Sequence, residues 1–124
     1  MSIEHERYGS LRSHKFTPKT EVHSYNFAYS DKKVRDQKYD QIVTYMCNNP
    51  PPFEWAVAEY ESLVGARYGW MILIFIKASP YLPSVDNYFC KLVSELTLQP
   101  EHCGLDEHLS PDIIQWGRIY PKQT

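Results

Sequence analysis

Trp70-Met71-Ile72-Leu73-Ile74-Phe75-Ile76 is seven apolar residues in succession, and this run constrains the fold more than any other feature. A membrane-spanning helix needs about 20 such residues, so the run is too short to be one. A half-buried strand alternates apolar with polar, and a surface helix repeats every three or four positions. Neither period is present. An Ile-rich run of this length fits a strand buried on both sides, so Tyr68 to Ala78 reads as the central strand of a sheet.

Other segments are expected to pack around that strand. From Val22 to Tyr29 the residues alternate, with His23, Tyr25, Phe27 and Tyr29 on one face and Val22, Ser24, Asn26 and Ala28 on the other. Period two with aromatic enrichment predicts a half-buried strand. Ser30-Asp31 then offers a helix cap, and Tyr39, Ile42, Val43, Met46 and Cys47 make a helical stripe. Asn48-Asn49-Pro50-Pro51-Pro52 ends that helix, because proline removes a donor and biases the residue before it away from helix.

Phe53, Ala56, Val57, Tyr60, Leu63 and Val64 repeat the stripe between Pro52 and Gly65 and predict a second helix. On it, Glu59 and Glu61 fall on a solvated face. Ser84 is the expected cap of a third helix with Val85, Tyr88, Phe89, Leu92, Val93 and Leu96 inward. Residues 97–109 read as a loop. Ser110-Pro111-Asp112 is a helix-start signal, with Gly117 as the stop of a short helix and Arg118-Ile119-Tyr120 as an edge strand.

The expected architecture is α+β: a small few-stranded sheet packed against three main helices, in the order β-α-α-β-α-short α-β. At 124 residues the chain supports a single domain. Residues 1–20 lack a sustained apolar period and read as an extended arm before an α+β domain over 21–124. The N-terminus has no apolar stretch of the kind a secretory signal carries, and three cysteines is an odd count. Both point to a reducing compartment: the cytoplasm, or the host cytoplasm if the source is viral.

Charge bounds the partner. Residues 1–40 carry eight basic side chains against six acidic, and residues 41–124 carry five against nine. This is far from the strongly basic footprint of a dedicated nucleic-acid binder. Even so, the aromatic face His23, Tyr25, Phe27 and Tyr29, close in sequence to Arg12, Lys15 and Lys19, has the ingredients for holding a single strand, rings for bases and cations for phosphates. Burying that face beneath helices is the thermodynamically cheaper arrangement, since Ser24, Asn26 and Ala28 opposite are more polar.

Catalytic signatures are missing. There is no Gly-rich phosphate loop, no Gly-x-Ser-x-Gly, no His-Glu-x-x-His and no Cys-x-x-Cys. The stretch Glu101-His102-Cys103-Gly104-Leu105-Asp106-Glu107-His108 is dense in metal-ligating types, with His102, Cys103 and His108 the candidate ligands of a metal-dependent enzyme. Its spacing matches no zinc pattern, and a solvated acidic loop is the simpler reading. Cys47 and Cys90 fall on or beside apolar stripes, where free thiols are mostly inert packing. No cofactor is expected.

Ten of the aromatic residues are Tyr, too many for the core of so small a domain. Tyr and Trp surplus is characteristic of protein-interaction surfaces, where an apolar body with a polar tip suits a half-wet contact. The expected function is therefore a non-enzymatic protein-binding module of the inhibitor, immunity, anti-defence, viral accessory or adaptor type, with a second copy of the chain as one partner to test. Expected anchors are Tyr81, Trp116 and Tyr120, with Glu101, Asp106 and Glu107 as an acidic rim.

Overall fold

The computed structural model describes residues 22–62, 69–105 and 113–121. Seven elements follow one another: β1 (His23–Tyr29), α1 (Lys32–Asn48), β2 (Trp55–Ser62), β3 (Trp70–Ile76), α2 (Pro83–Leu96), β4 (His102–Leu105) and β5 (Ile113–Tyr120). The five strands form one sheet in the order β4-β1-β3-β2-β5, with every neighbouring pair antiparallel. Up to β4 this is two interleaved split β-α-β units, the ferredoxin-like connection. β5 extends the sheet beyond β2. The Ile-rich run occupies the central strand, as its lack of period requires.

The fold is α+β, and the described residues form two helices where three were expected. The helix expected between Pro52 and Gly65 is not found among the described residues, where Trp55 to Ser62 is a strand. The stripe misleads because β2 is buried on both faces. Ala56, Ala58 and Tyr60 pack on one side and Val57 on the other, so no period-two signal survives. Where the short helix was expected to end at Gly117, the described residues from Ile113 to Tyr120 are strand β5, which includes the foreseen edge segment. Part of the expected 97–109 loop is β4, which pairs Cys103 with Phe27 and His102 with Ala28.

Both helices follow their sequence stripes. Asp31 has extended backbone and accepts the Val34 N–H at 3.1 Å, capping α1, which buries Arg35, Tyr39, Ile42 and Met46. Lys38 reaches the other helix, its Nζ donating to the carbonyl of Thr97 at 3.0 Å. α2 begins without a side-chain cap: Leu82, not Ser84, holds the N-cap position, and Pro83 opens the first turn. It ends on Thr97 in the left-handed region at φ 49°, and Gln99 at φ 43° repeats that conformation. Anchors on either side hold this strained corner. The Tyr29 hydroxyl donates to Leu98 O at 2.8 Å, and Glu101 N–H donates to Ala28 O at 2.9 Å.

Two apolar clusters flank the sheet. On the helix side, Phe27, Tyr29, Val57, Ile72, Ile74 and Ile76 meet Ile42, Met46, Val85, Phe89 and Leu92. On the reverse side, Ala28, Ala56, Ala58, Tyr60, Met71, Leu73, Phe75 and Trp116 are buried together, all of them strand residues. Asn26 lies buried on that reverse face and donates to the Tyr60 hydroxyl at 3.2 Å. Among the described residues no helix is long and apolar enough to cross a membrane. The expected arm, residues 1–20, lies outside the described residues.

Candidate functional site

The aromatic face of β1 is not an open platform. Phe27 and Tyr29 are buried in the helix-side core. Tyr25 packs on Phe89 of α2 with ring centroids 4.3 Å apart, and His23 is half-buried and meets Tyr81 in a T-shaped contact. Burial pushes the Tyr29 phenol well above its ordinary pKa, as expected of a ring inside a core. Arg12, Lys15 and Lys19, the cations that would meet phosphates, lie outside the described residues. The rings themselves serve packing.

The three expected protein-binding anchors are not brought together as one triplet. Trp116 is 2% exposed, on the reverse face of the sheet against Tyr60, with centroids 5.4 Å apart. Tyr81 is 77% exposed, with Leu82 beside it at 51%. Tyr120 is 36% exposed and stacks on Trp55 at 5.2 Å. The register shows which of these share an end of the sheet. Ile76 pairs with both His23 and Trp55, and Val57 pairs with Tyr120. The turn carrying Tyr81 and Leu82 follows Ile76 and touches His23, so it lies at the end of the sheet that also carries Tyr120.

Between those points the surface is aromatic and held by specific contacts. Phe53 and Tyr45 each meet Tyr88 edge-on, at 5.9 and 6.1 Å. The Tyr88 hydroxyl donates to Asn49 O at 2.7 Å, tying the first turns of α2 to the end of α1. Cys47 Sγ lies 3.2 Å from the Tyr120 hydroxyl, an exposed contact that pushes the phenol's pKa up. Pro50 to Pro52 forms the rigid connector here. This end carries the largest exposed side chains of the apolar and aromatic types among the described residues.

Further along β2 a charge network centres on Glu59, a residue expected on a solvated helix face. Glu59 is buried. Its Oε1 accepts the Arg118 backbone N–H at 2.9 Å and Arg118 Nε at 3.0 Å. Its Oε2 accepts Arg118 Nη2 at 2.9 Å and lies 3.3 Å from Arg35 Nε. Arg35, also buried, donates from Nη1 to Tyr60 O at 3.0 Å and Met71 O at 3.3 Å. Arg118 continues outward to Asp40 Oδ1 at 2.6 Å and over the Tyr39 ring at 4.4 Å. The carboxylate bonds hold the Arg118 guanidinium above its ordinary range.

Geometry explains how a strand carries this network. Between Ala58 and Tyr60 the β2–β5 register slips, so Glu59 faces both Gly117 and Arg118. The slip aims Arg118 back across the sheet toward α1. Beside it opens a cleft of about 470 Å³, lined by Lys32, Arg35, Glu59, Glu61, Trp70 and Arg118 among others. Lys32 Nζ lies 2.8 Å from Asp36 Oδ2, and Arg35 Nε donates to Asp36 Oδ1 at 2.8 Å. Partial burial pushes the Asp36 carboxyl up, but the hydrogen bonds from Lys32 and Arg35 prevail and hold it at about 2. The signal that could have found this cleft is the Glu-x-Glu spacing, which on a strand puts both carboxylates on one face.

The 101–108 stretch is divided. The Glu101 carboxylate accepts the Ser30 N–H. His102 and Cys103 are exposed on β4, while Asp106, Glu107 and His108 lie outside the described residues. Among the described residues no group of three His, Cys, Asp or Glu side chains is placed to hold a metal ion. Cys47, Cys90 and Cys103 are all exposed, so the two expected in helix packing are on the surface.

Comparison with known proteins finds no matching family model, no matching curated protein and no matching solved structure.

Proposed function

We propose that this domain is a protein-binding module acting through the end of the sheet that carries Tyr81, Leu82 and Tyr120. What carries the reading is the consecutive exposure of Tyr81 and Leu82, at 77% and 51%. Two adjacent large side chains left in water on a tight turn are an anchor in search of a pocket, because binding hot spots are rigid aromatic and aliphatic groups that lose their water on contact. The Trp55–Tyr120 stack and the Tyr45–Tyr88–Phe53 cluster keep the surrounding surface rigid, which lowers the ordering cost of docking. Trp116, being buried, supports the sheet and is no part of the contact.

The test is affinity enrichment from the source cells with wild type and the Tyr81→Ala/Leu82→Ser double variant, each shown by circular dichroism to be folded. A discrete partner held by wild type and by the remote Lys91→Ala variant, and lost with the double variant, is the expected result. The same proteins retained by both would overturn the assignment. Concentration-dependent dimerisation in sedimentation, abolished by the double variant, would make the partner a second copy of the chain.

A further inference from the structure

The reverse face of the sheet is buried, yet the described residues gathered there are all on strands. Ala28, Ala56, Ala58, Leu73 and Phe75 are at most 1% exposed, and Tyr60 and Trp116 at most 3%. A single layer of strands cannot hide its own face, because side chains stand out from the pleat and lose their water only to a second layer about 10 Å away. The side chains of α1 and α2 enter the other cluster. The cover of the reverse face therefore comes from residues 1–21, 63–68, 106–112 or 122–124.

Length and attachment choose among these. Residues 63–68 join β2 to β3, and their flanks are already bonded, Ser62 N–H donating to Gly69 O at 2.9 Å. Residues 106–112 join opposite edges of the sheet, a distance of four strand spacings or about 19 Å, out of a reach of about 25 Å. Residues 122–124 are too few to form a layer. Residues 1–21 are tied at one end only and reach about 70 Å when extended. They join β1 at Val22, whose side chain already packs on the reverse-side cluster. From there the face continues through Ser24, its partner Phe75 and Phe75's partner Ala56.

We propose that the reverse face of the sheet is a docking surface for the chain's own N-terminal segment, residues 1–21. The buried polar residues of this face are the neutral Asn26 and Ser62, so it selects the apolar members of the segment, Leu11 and Phe16, as its contacts. The segment is then a strap. Its release would uncover an apolar surface larger than a soluble monomer leaves in water, a second face open to a partner.

The proposal stands whether or not the Tyr81 end binds protein. It is tested on the isotope-labelled full chain by nuclear Overhauser contacts from Leu73 and Phe75, which are expected to reach Leu11 and Phe16. The full-length Leu11→Asp/Phe16→Asp variant should bind a hydrophobic dye several-fold more strongly than wild type while keeping its far-ultraviolet circular dichroism. Ser94→Asp on the exposed face of α2 should leave dye binding unchanged. Contacts of Phe75 that run instead to residues 106–112, or to a second copy in a mixed-label sample, overturn the proposal. So does dye binding by the folded double variant equal to that of wild type. If the double variant does not fold, the wild-type contacts decide alone.

Discussion

Gly117 lies directly against the carboxylate of Glu59: a Cβ at that position would stand 2.8 Å from Glu59 Oε1 and 3.1 Å from its Cβ. The buried carboxylate and the bare backbone of β5 are therefore one device. Gly117→Ala should force Glu59 off Arg118 or push β5 from β2, costing about 1–3 kcal/mol in urea denaturation. Gly69→Ala meets only Ser62 O at 3.5 Å, an ordinary contact, and should stay within about 0.5 kcal/mol of wild type.

Removing Glu59 takes one of two carboxylates from a buried guanidinium. Arg35 is buried, and without Glu59 its remaining carboxylate is Asp36 at the cleft edge. Glu59→Leu leaves Arg35 only Asp36, at 2.8 Å, and should cost about 2–3 kcal/mol, less than the ~3–5 kcal/mol of a wholly uncompensated buried charge. Arg118→Met leaves Glu59 with Arg35 and removes a side chain already 46% exposed, so its cost should be clearly smaller. Equal losses in the two variants would show that Arg118, not Glu59, is the centre of the network.

Asp36 supplies an acid-sensitive term. Its folded pKa of about 2 lies below the usual carboxyl value of 3.8. A depressed carboxyl stabilises the fold above its unfolded pKa, and that contribution is lost as pH falls through the folded one. Stability should therefore drop between about pH 4 and pH 2. Asp36→Asn should flatten the slope in that window, as read from urea midpoints at successive pH.

Tyrosine ionisation should split into two groups. Burial, first among the causes, raises the phenols of Tyr29, Tyr39 and Tyr88 beyond the ordinary range. A raised phenol favours the fold below its unfolded pKa of about 10, and this is lost as pH climbs toward the folded value. Ultraviolet titration should show these three ionising only as the chain unfolds in alkali. Tyr29→Phe should remove one residue from the late group and about 1 kcal/mol from stability, through the lost bond to Leu98 O.

The parts legible in sequence are those where one period dominates. β1 alternates because its two faces differ in polarity, and α1 shows its stripe because one side faces water. β3 is legible by its lack of period. β2 was illegible for the same physical reason, but in disguise: Ala and Glu, good helix formers, stand in a strand enclosed on both sides. In β5 the register slip at Gly117 breaks the alternation, and Ser110-Pro111-Asp112 supplies a helix-start signal in front of a strand. No sequence period reveals the charge cleft, since Glu59 and Arg118 meet only when β2 and β5 are neighbours. The exposure of Tyr81 was legible because a Pro-flanked turn leaves little else to cover it.

The enclosure of β3 also sets how this protein tolerates change. From Met71 to Ile76 every side chain is buried, on alternating sides of the sheet. A saturation library should therefore record six consecutive intolerant positions with no every-other-residue relief. Drift in this lineage would be channelled into the outer surface of α1 and the exposed strand ends, leaving the middle of the chain as its slowest-changing text.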